Sequence, residues 1–364
     1  MAVGFPAKTN FATGEVLTAT NMNDITGTLN LLQSTLYPAG RNKIINGDFG
    51  VWQRGTSITY SVAGSFTYTA DRFNIWHNGS TAGTITATQQ TFTAGTAPVS
   101  GYEGTFFHRA TITTLGTGQT VLDLNQRIED VRTFAGNTVS LSFWLKSSGT
   151  YTPAVFLQQN FGSGGSATVD IAMTLTGGSA TTAWQRYTAT VAVPSISGKT
   201  IGTSSFLNVL IRTGSPTNGQ TIDIWGVQLE NGSTASPFQT ASGSIGGELA
   251  LCQRYYYRAG ASDSVAYAAL SNAAFSQSTT ITTGAIALPV QMRVPPTALD
   301  SSNVAFRQTS GTVVGMTLVT LDTTQGSTTV ATIYGTTSVI VANLPGFLVK
   351  NNNSAGYLGF SAEL

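Results

Sequence analysis

The chain has 364 residues, only 9% of them charged, and 17 Lys and Arg against 16 Asp and Glu leave a formal net charge of +1. A balance so close to zero offers no electrostatic grip on nucleic acid or on an anionic membrane surface. One cysteine, Cys252, can make neither an internal disulfide nor a zinc cluster.

No apolar run approaches the length of a membrane span (about 18 residues), and residues 1–10 lack the basic and apolar regions of a secretory signal. Neither nucleic-acid binding nor membrane insertion is expected. Hydrophobic residues make up 41% of the chain, enough for a packed core. The polar remainder is Ser, Thr, Asn, Gln and Gly. That mixture suits short strands and turns, because Thr favours strands and Gly disfavours helices.

Residues 3–18 are polar with scattered apolar positions and read as an extended leader. Behind them, Met22, Ile25, Leu29, Leu32 and Leu36 are spaced three, four, three and four, a heptad seam. Thr20 or Asn21 caps the start, and Pro38 with Gly40 ends the helix. About 16 residues make roughly 24 Å of helix, too little to stand alone in water. The stripe packs either on its own domain or, the reading preferred here, on identical subunits. Residues 1–40 are thus expected to form a leader and a short coiled coil that joins copies of the chain.

From Lys43 the apolar period becomes two. Val139, Leu141, Phe143 and Leu145 share one side of a strand; Ser140, Ser142, Trp144 and Lys146 share the other. Tyr187, Ala189, Val191 and Val193 alternate likewise. Across residues 221–229 the alternation slips, which predicts a bulge near Gly226. Asn-Gly pairs at 46–47, 78–79, 218–219 and 231–232 read as hairpin turns. The expected fold is mainly β, with an antiparallel sandwich over residues 41–240. A Ser- and Gly-rich linker follows over residues 231–247. Residues 248–258 (ELALCQRYYYR) start as a helical turn and finish as an aromatic strand. A second, C-terminal β domain spans 248–364 and is expected to form the receptor-facing tip.

Catalytic constellations are sparse. His77 and His108 stand alone, without the nucleophile and orienting partner that a catalytic base needs. Gly198-Lys199-Thr200 resembles the end of a phosphate loop, but Val193 stands where that motif requires Gly. The densest acidic stretch holds Asp123, Glu129 and Asp130 beside Arg127 and Arg132, which reads as ion pairs on an edge. Two carboxylates flanking a sugar would be the alternative. No catalytic residue and no cofactor is expected. Among the five tryptophans, Trp144 and Trp225 fall opposite apolar neighbours and are the candidates for stacking on a sugar ring.

In residues 42–55 (NKIINGDFGVWQRG), 70–73 (ADRF), 222–230 (IDIWGVQLE), 236–238 (SPF) and 248–258, the chain resembles bacteriophage tail-fibre and related virion fibre proteins. Residues 11–23 (FATGEVLTATNMN) look like the attachment leader of such proteins. The middle region looks like a jelly-roll carbohydrate-binding module, a resemblance that implies a possible structural calcium at Asp48 and Asp223. Together these resemblances imply a homotrimeric virion fibre. Its N-terminus would meet other virion proteins, and it would bind a host surface glycan noncovalently. A head fibre or capsid decoration protein is the alternative position, and a glycan depolymerase the alternative activity.

Overall fold

The computed structural model describes residues 40–79, 83–99, 102–260 and 264–364. The leader, the seam Met22, Ile25, Leu29, Leu32 and Leu36, and the expected coiled coil lie outside the described residues. What is described is mainly β, with one α-helix.

The first strands in chain order are β1 (Ser57–Tyr60), β2 (Thr67–Tyr68), β3 (Phe73–His77), β4 (Thr84–Thr91), β5 (Phe106–Thr114) and β6 (Val121–Glu129). Then come β7 (Thr138–Ser147), β8 (Ala154–Asn160), β9 (Val169–Thr176), β10 (Gln185–Ala192), β11 (Phe206–Gly214) and β12 (Thr221–Asn231). They build a β-sandwich of jelly-roll type. One sheet runs β1-β4-β5-β12-β7-β10 and the other β9-β8-β11-β6-β3-β2. Pairing of β9 with β10 joins the two along one edge.

The alternation in the sequence is what closes this core. Val139, Leu141, Phe143 and Leu145 of β7 are buried in one cluster with Leu122, Leu124, Leu207, Val209 and Ile211 of the other sheet. The anticipated bulge is present: the register of β12 against β7 shifts between Trp225 and Gln228. Gly226 has φ 66° there, and a Cβ on it would lie 2.7 Å from the Trp144 ring. Gly226→Ala therefore combines a left-handed backbone with overpacking. It is expected to cost about 2–3 kcal/mol in a denaturant titration.

The Asn-Gly pairs act differently from the expectation. Gly79 and Gly219 do take positive φ. Their turns, however, connect β3 to β4 and β11 to β12, and each of these pairs divides between the two sheets. They carry the chain across the sandwich instead of closing hairpins.

Residues 231–247 are not a loose linker either. Glu230 is buried and accepts from Ser236 N and Ser236 Oγ, both at 2.7 Å, and from Gln228 Nε2 at 2.9 Å. Phe238 is buried against Trp225, ring centroids 4.9 Å apart. The segment ends in α1 (Ile245–Gln253), whose first turn is capped by Ser244 Oγ accepting from Gly247 N at 3.1 Å.

The aromatic strand expected after the helix is β13 (Tyr256–Ala259). It is followed by β14 (Ala273–Ser276), β15 (Ile281–Ala287), β16 (Ala298–Ser302), β17 (Val304–Gln308) and β18 (Val313–Leu321). The last are β19 (Val330–Thr337), β20 (Pro345–Lys350) and β21 (Tyr357–Ser361). Strands β14-β15-β19-β18-β17-β20 close a barrel around Phe306, Ile333 and Leu348, and β13-β21-β16 form a small sheet.

The fibre-like motifs meet where sandwich and barrel region join. Asn46 donates through Nδ2 to Val51 O (2.9 Å) and Asp71 O (3.0 Å), and its N–H reaches Glu248 Oε2 of α1 at 2.7 Å. Arg54 lies 3.6 Å over the Tyr256 ring, and Arg72 lies 3.5 Å over Tyr255 while pairing with Glu363. These residues wire one β unit to the other.

Candidate functional site

Trp144 and Trp225 are not open to a ligand. Trp225 has 0% of its surface exposed and Trp144 7%. Both point outward from the first sheet, as the alternation requires. There they are covered by Phe92, Tyr102 and Phe238, brought in by the connections after β4 and β12, and form a second, smaller core. The expected stacking role is corrected on that ground: neither indole has a free face.

The suggested calcium pair does not assemble. Both Asp223 oxygens are taken by a fork from Arg109, at 2.6 and 2.7 Å, with Lys146 Nζ 3.4 Å away. Asp48 sits instead in a small cavity with Tyr102 and Glu248. Burial, with the Glu248 charge nearby, pushes its carboxyl above the usual range. A carboxylate already matched to two cations is a poor calcium ligand, so these residues do not fit the ion.

The acidic stretch is engaged as well: Asp130, just past β6, pairs with its sequence neighbour Arg132 at 3.1 Å as expected, whereas Asp123 and Glu129 are held by arginines from elsewhere in the chain. Arg212 forks onto Asp123 at 2.8 Å to each oxygen, and burial holds that carboxyl above its ordinary range. Glu129 accepts from Arg254 Nη2 at 2.9 Å and from the Tyr255 hydroxyl at 3.0 Å. Asp123 and Glu129 are six residues apart on one strand, roughly 20 Å. That exceeds the 5–10 Å or so over which two carboxylates share a glycosidic bond.

The face of the second sheet turned away from the core has a different character. Alternation puts Leu122, Leu124, Val209 and Ile211 inward, so Asp123, Asn125 and Arg127 of β6 point outward with Asn208, Leu210 and Arg212 of β11. The register aligns Tyr68, Asn74, Asn125, Leu210 and Phe156 in one row across β2, β3, β6, β11 and β8. Trp76, Asp123 and Arg212 form the next row, and Arg127, Asn208 and Gln158 the row on the other side.

Aromatic and cationic groups alternate over this floor. The Arg127 guanidinium lies 4.5 Å from the Phe66 ring and 4.8 Å from Phe206, and Arg212 lies 5.2 Å from Phe156. Beneath them Asn74, Asn125 and Asn208 are buried. Asn208 Nδ2 donates to Asn125 Oδ1 at 3.3 Å. The other side of this amide row is unmet: Asn74 Nδ2, Asn74 Oδ1 and Asn208 Oδ1 are buried without a hydrogen-bond partner. Each such atom costs about 1–3 kcal/mol.

Another cavity lies elsewhere. A groove of about 710 Å³ runs between Ile45, Ile128, Leu251, Tyr255 and Val290 at the junction. Its polar rim includes Lys43 and Gln291 as well as Glu129 and Arg254, which pair with each other. The amide row is one of several places among the described residues where buried polar atoms lack a protein partner, and it lies directly beneath the part-exposed rings and cations of the outer face.

The sequence reading missed Asn74, Asn125, Asn208, Trp76 and Phe156. The signal was present as polar alternation within residues 121–129 and 206–214, which set Asp, Asn and Arg against Leu, Val and Ile.

No family model matches the chain, and no curated protein matches it. Among solved structures it is similar to the enzymatically active domain of tailspike protein 4 of bacteriophage CBA120. Identity there is 13% over 52% of this chain, with a TM-score of 0.30. The chain spans 21% of that domain's length. It is also similar to the CBM22-1 xylan-binding domain of Paenibacillus barcinonensis Xyn10C, at 13% identity over 55% of this chain and 99% of that one, TM-score 0.30. A CBM4 structure is similar at 19% identity over 40% of this chain and 87% of that one, TM-score 0.24.

Proposed function

We propose that this chain is a noncatalytic fibre subunit of a phage virion, holding a host surface glycan on the outer face of its second sheet. The observation that carries the binding reading is the line of part-exposed rings and polar groups on that face: Phe66 with Arg127, Phe156 with Arg212, and Trp76 and Gln158 beside them. A sugar hydroxyl both donates and accepts, so it suits the guanidinium and amide groups along this line. Its apolar C–H faces suit the flanking rings. The fibre reading rests on the motif resemblance in residues 11–23, 42–55, 70–73, 222–230, 236–238 and 248–258. A tail position is favoured over a head fibre or decoration position by that resemblance alone.

Substitution on this face separates function from stability. Trp76→Ala with Phe156→Ala is expected to weaken polysaccharide binding at least tenfold in affinity electrophoresis on host capsular or surface polymer. Asn74→Ala, a change buried beneath them, is expected to leave binding unaltered and to stabilise the fold by about 1 kcal/mol, because it removes unmet buried polar groups. Binding that is unaltered in Trp76→Ala and in Phe156→Ala sinks the assignment of this face. Release of new reducing ends from the polymer, abolished by Asp123→Ala, supports the depolymerase alternative.

A further inference from the structure

The outer face of the first sheet carries a charge arrangement that the glycan reading does not use. The register sets Thr88, Arg109, Asp223 and Lys146 side by side across β4, β5, β12 and β7. Asp223 is buried, so its carboxylate needs a cation. Arg109 supplies one through a fork from Nε and Nη2, at 2.6 and 2.7 Å. That fork alone neutralises the group and bonds both of its oxygens. Lys146 is a second cation, with Nζ 3.4 Å from the same carboxylate. Two positive charges therefore share one negative charge.

No neighbouring strand redresses the balance. β4, β5, β7 and β10 contain no Asp or Glu. The other acid of β12, Glu230, pairs with Arg41. Arg186 of β10 adds a further cation, over the Trp144 ring.

The surplus charge opens on a cavity of about 180 Å³ between Arg109, Lys146, Ser148, Thr182 and Asp223, far more than the ~30 Å³ of one water. Its walls offer donors. A guanidinium has five N–H groups and an ammonium three; Arg109 spends two on Asp223. The two cationic side chains are 31% and 28% exposed, so solutes can reach them. Ser148 Oγ already accepts from Thr221 N at 2.9 Å, which leaves its hydroxyl proton to give.

We propose that this cavity binds a monoanionic oxyanion, the carboxylate or sulfate ester that an acidic sugar carries. The charge count selects the class. One surplus positive charge is cancelled by one negative charge; a phosphate dianion exceeds it, and a neutral hydroxyl leaves it unmet. The guanidinium edge turned from Asp223 has the spacing to hold two oxygens at once, and Lys146 adds a point charge. The cavity lies on the opposite side of the sandwich from Trp76 and Phe156, so it stands or falls apart from the site proposed there.

The test is isothermal titration calorimetry of the full chain with sodium glucuronate and with sodium methyl sulfate, which has no ring to stack elsewhere. Each is expected to bind saturably, with a dissociation constant of the order of 1 mM. Lys146→Gln keeps the Arg109 fork on Asp223 and removes only the surplus charge. It is expected to weaken both anions about tenfold or more at unchanged melting temperature. Lys199→Gln removes an equal charge from an exposed loop and is expected to bind as the native chain does.

No saturable heat up to about 30 mM of either anion overturns the proposal. So does a Lys146→Gln protein that binds as before, or a Lys199→Gln protein weakened as much. Hydrogen exchange on the unsubstituted chain gives an independent reading. Methyl sulfate must raise protection at residues 146–149 and 221–223, and flat protection overturns the proposal even where Lys146→Gln fails to fold. Electrophoresis through polygalacturonate separates the two sources of the anion. Retardation lost in Lys146→Gln but kept in Trp76→Ala with Phe156→Ala supports a group borne on a polymer, and calorimetric binding without retardation supports a free solute.

Discussion

Replacing Arg72 with methionine is expected to lower the unfolding free energy by about 4 kcal/mol, the range found when one partner of a buried ion pair is removed. The side chain is almost wholly enclosed. Its guanidinium pairs with Glu363, donates to Arg127 O at 2.5 Å and lies 3.5 Å over the Tyr255 ring. Methionine fills much of the volume but leaves Glu363 with Arg54 as its remaining cation, at 3.4 Å. The Arg127 carbonyl also loses this donor. Lysine is not expected to rescue, since a point charge cannot meet the carboxylate, the carbonyl and the ring at once.

The backbone argues the same way. Arg72 has φ 70°, a conformation that costs about 1–2 kcal/mol for a residue with a Cβ. The contacts at the junction must outweigh that cost. Combining Arg72→Met with Glu363→Gln is expected to cost clearly less than the sum of the two changes, because they share one interaction. Denaturant titration of the four proteins measures this; a loss below about 1 kcal/mol for Arg72→Met would show that the junction does not depend on this pair.

How far the sequence reveals this molecule depends on the range of the interaction. Alternation along one strand is local, so the inward set Val139, Leu141, Phe143 and Leu145 and the slip at Gly226 are both legible. What covers the other side of a strand is not local. Trp144 and Trp225 read as outward, and they are outward, but the alternation holds no information about Phe92 or Phe238 arriving from segments far along the chain.

Composition misleads at residues 231–247 for a related reason. Ser, Thr and Gly give the look of a linker, yet Ser236 is there to satisfy the buried Glu230. The candidate site depends on register between strands. Trp76, Phe156 and Arg212 are far apart in sequence, and only the pairing of β3, β6, β11 and β8 brings them to one face. The fibre-like motifs were readable as a resemblance; their physical role as junction contacts emerged from the fold.

His108 supplies the other large effect, expressed through pH. It is buried between Phe49 and Trp52, ring centroids 5.4 and 5.5 Å away, with Thr69 Oγ1 3.2 Å from Nε2. Burial without a counter-charge pulls its pKa down to about 3. Below about pH 6.5 the unfolded chain therefore binds a proton that the folded chain refuses, and stability falls as pH falls. The loss accumulates from about pH 6.5 to about pH 3 at roughly 1.4 kcal/mol per pH unit, or about 4–5 kcal/mol in full.

Asp71 works against this over part of the range. Burial raises its carboxyl to about 6, so its contribution is present below about pH 4 and is lost as pH rises to about 6. The net curve of the native protein is thus flattened between about pH 4 and 6, and only a difference isolates the histidine. His108→Phe keeps a ring against Phe49 and Trp52 while removing the titration. The stability of the variant relative to the native chain is expected to climb steadily as pH falls from about 6 to 3.5. Parallel stability curves across that interval would mean that His108 accepts its proton within the fold, which an imidazole enclosed by two aromatic rings and a hydroxyl has no means of accommodating.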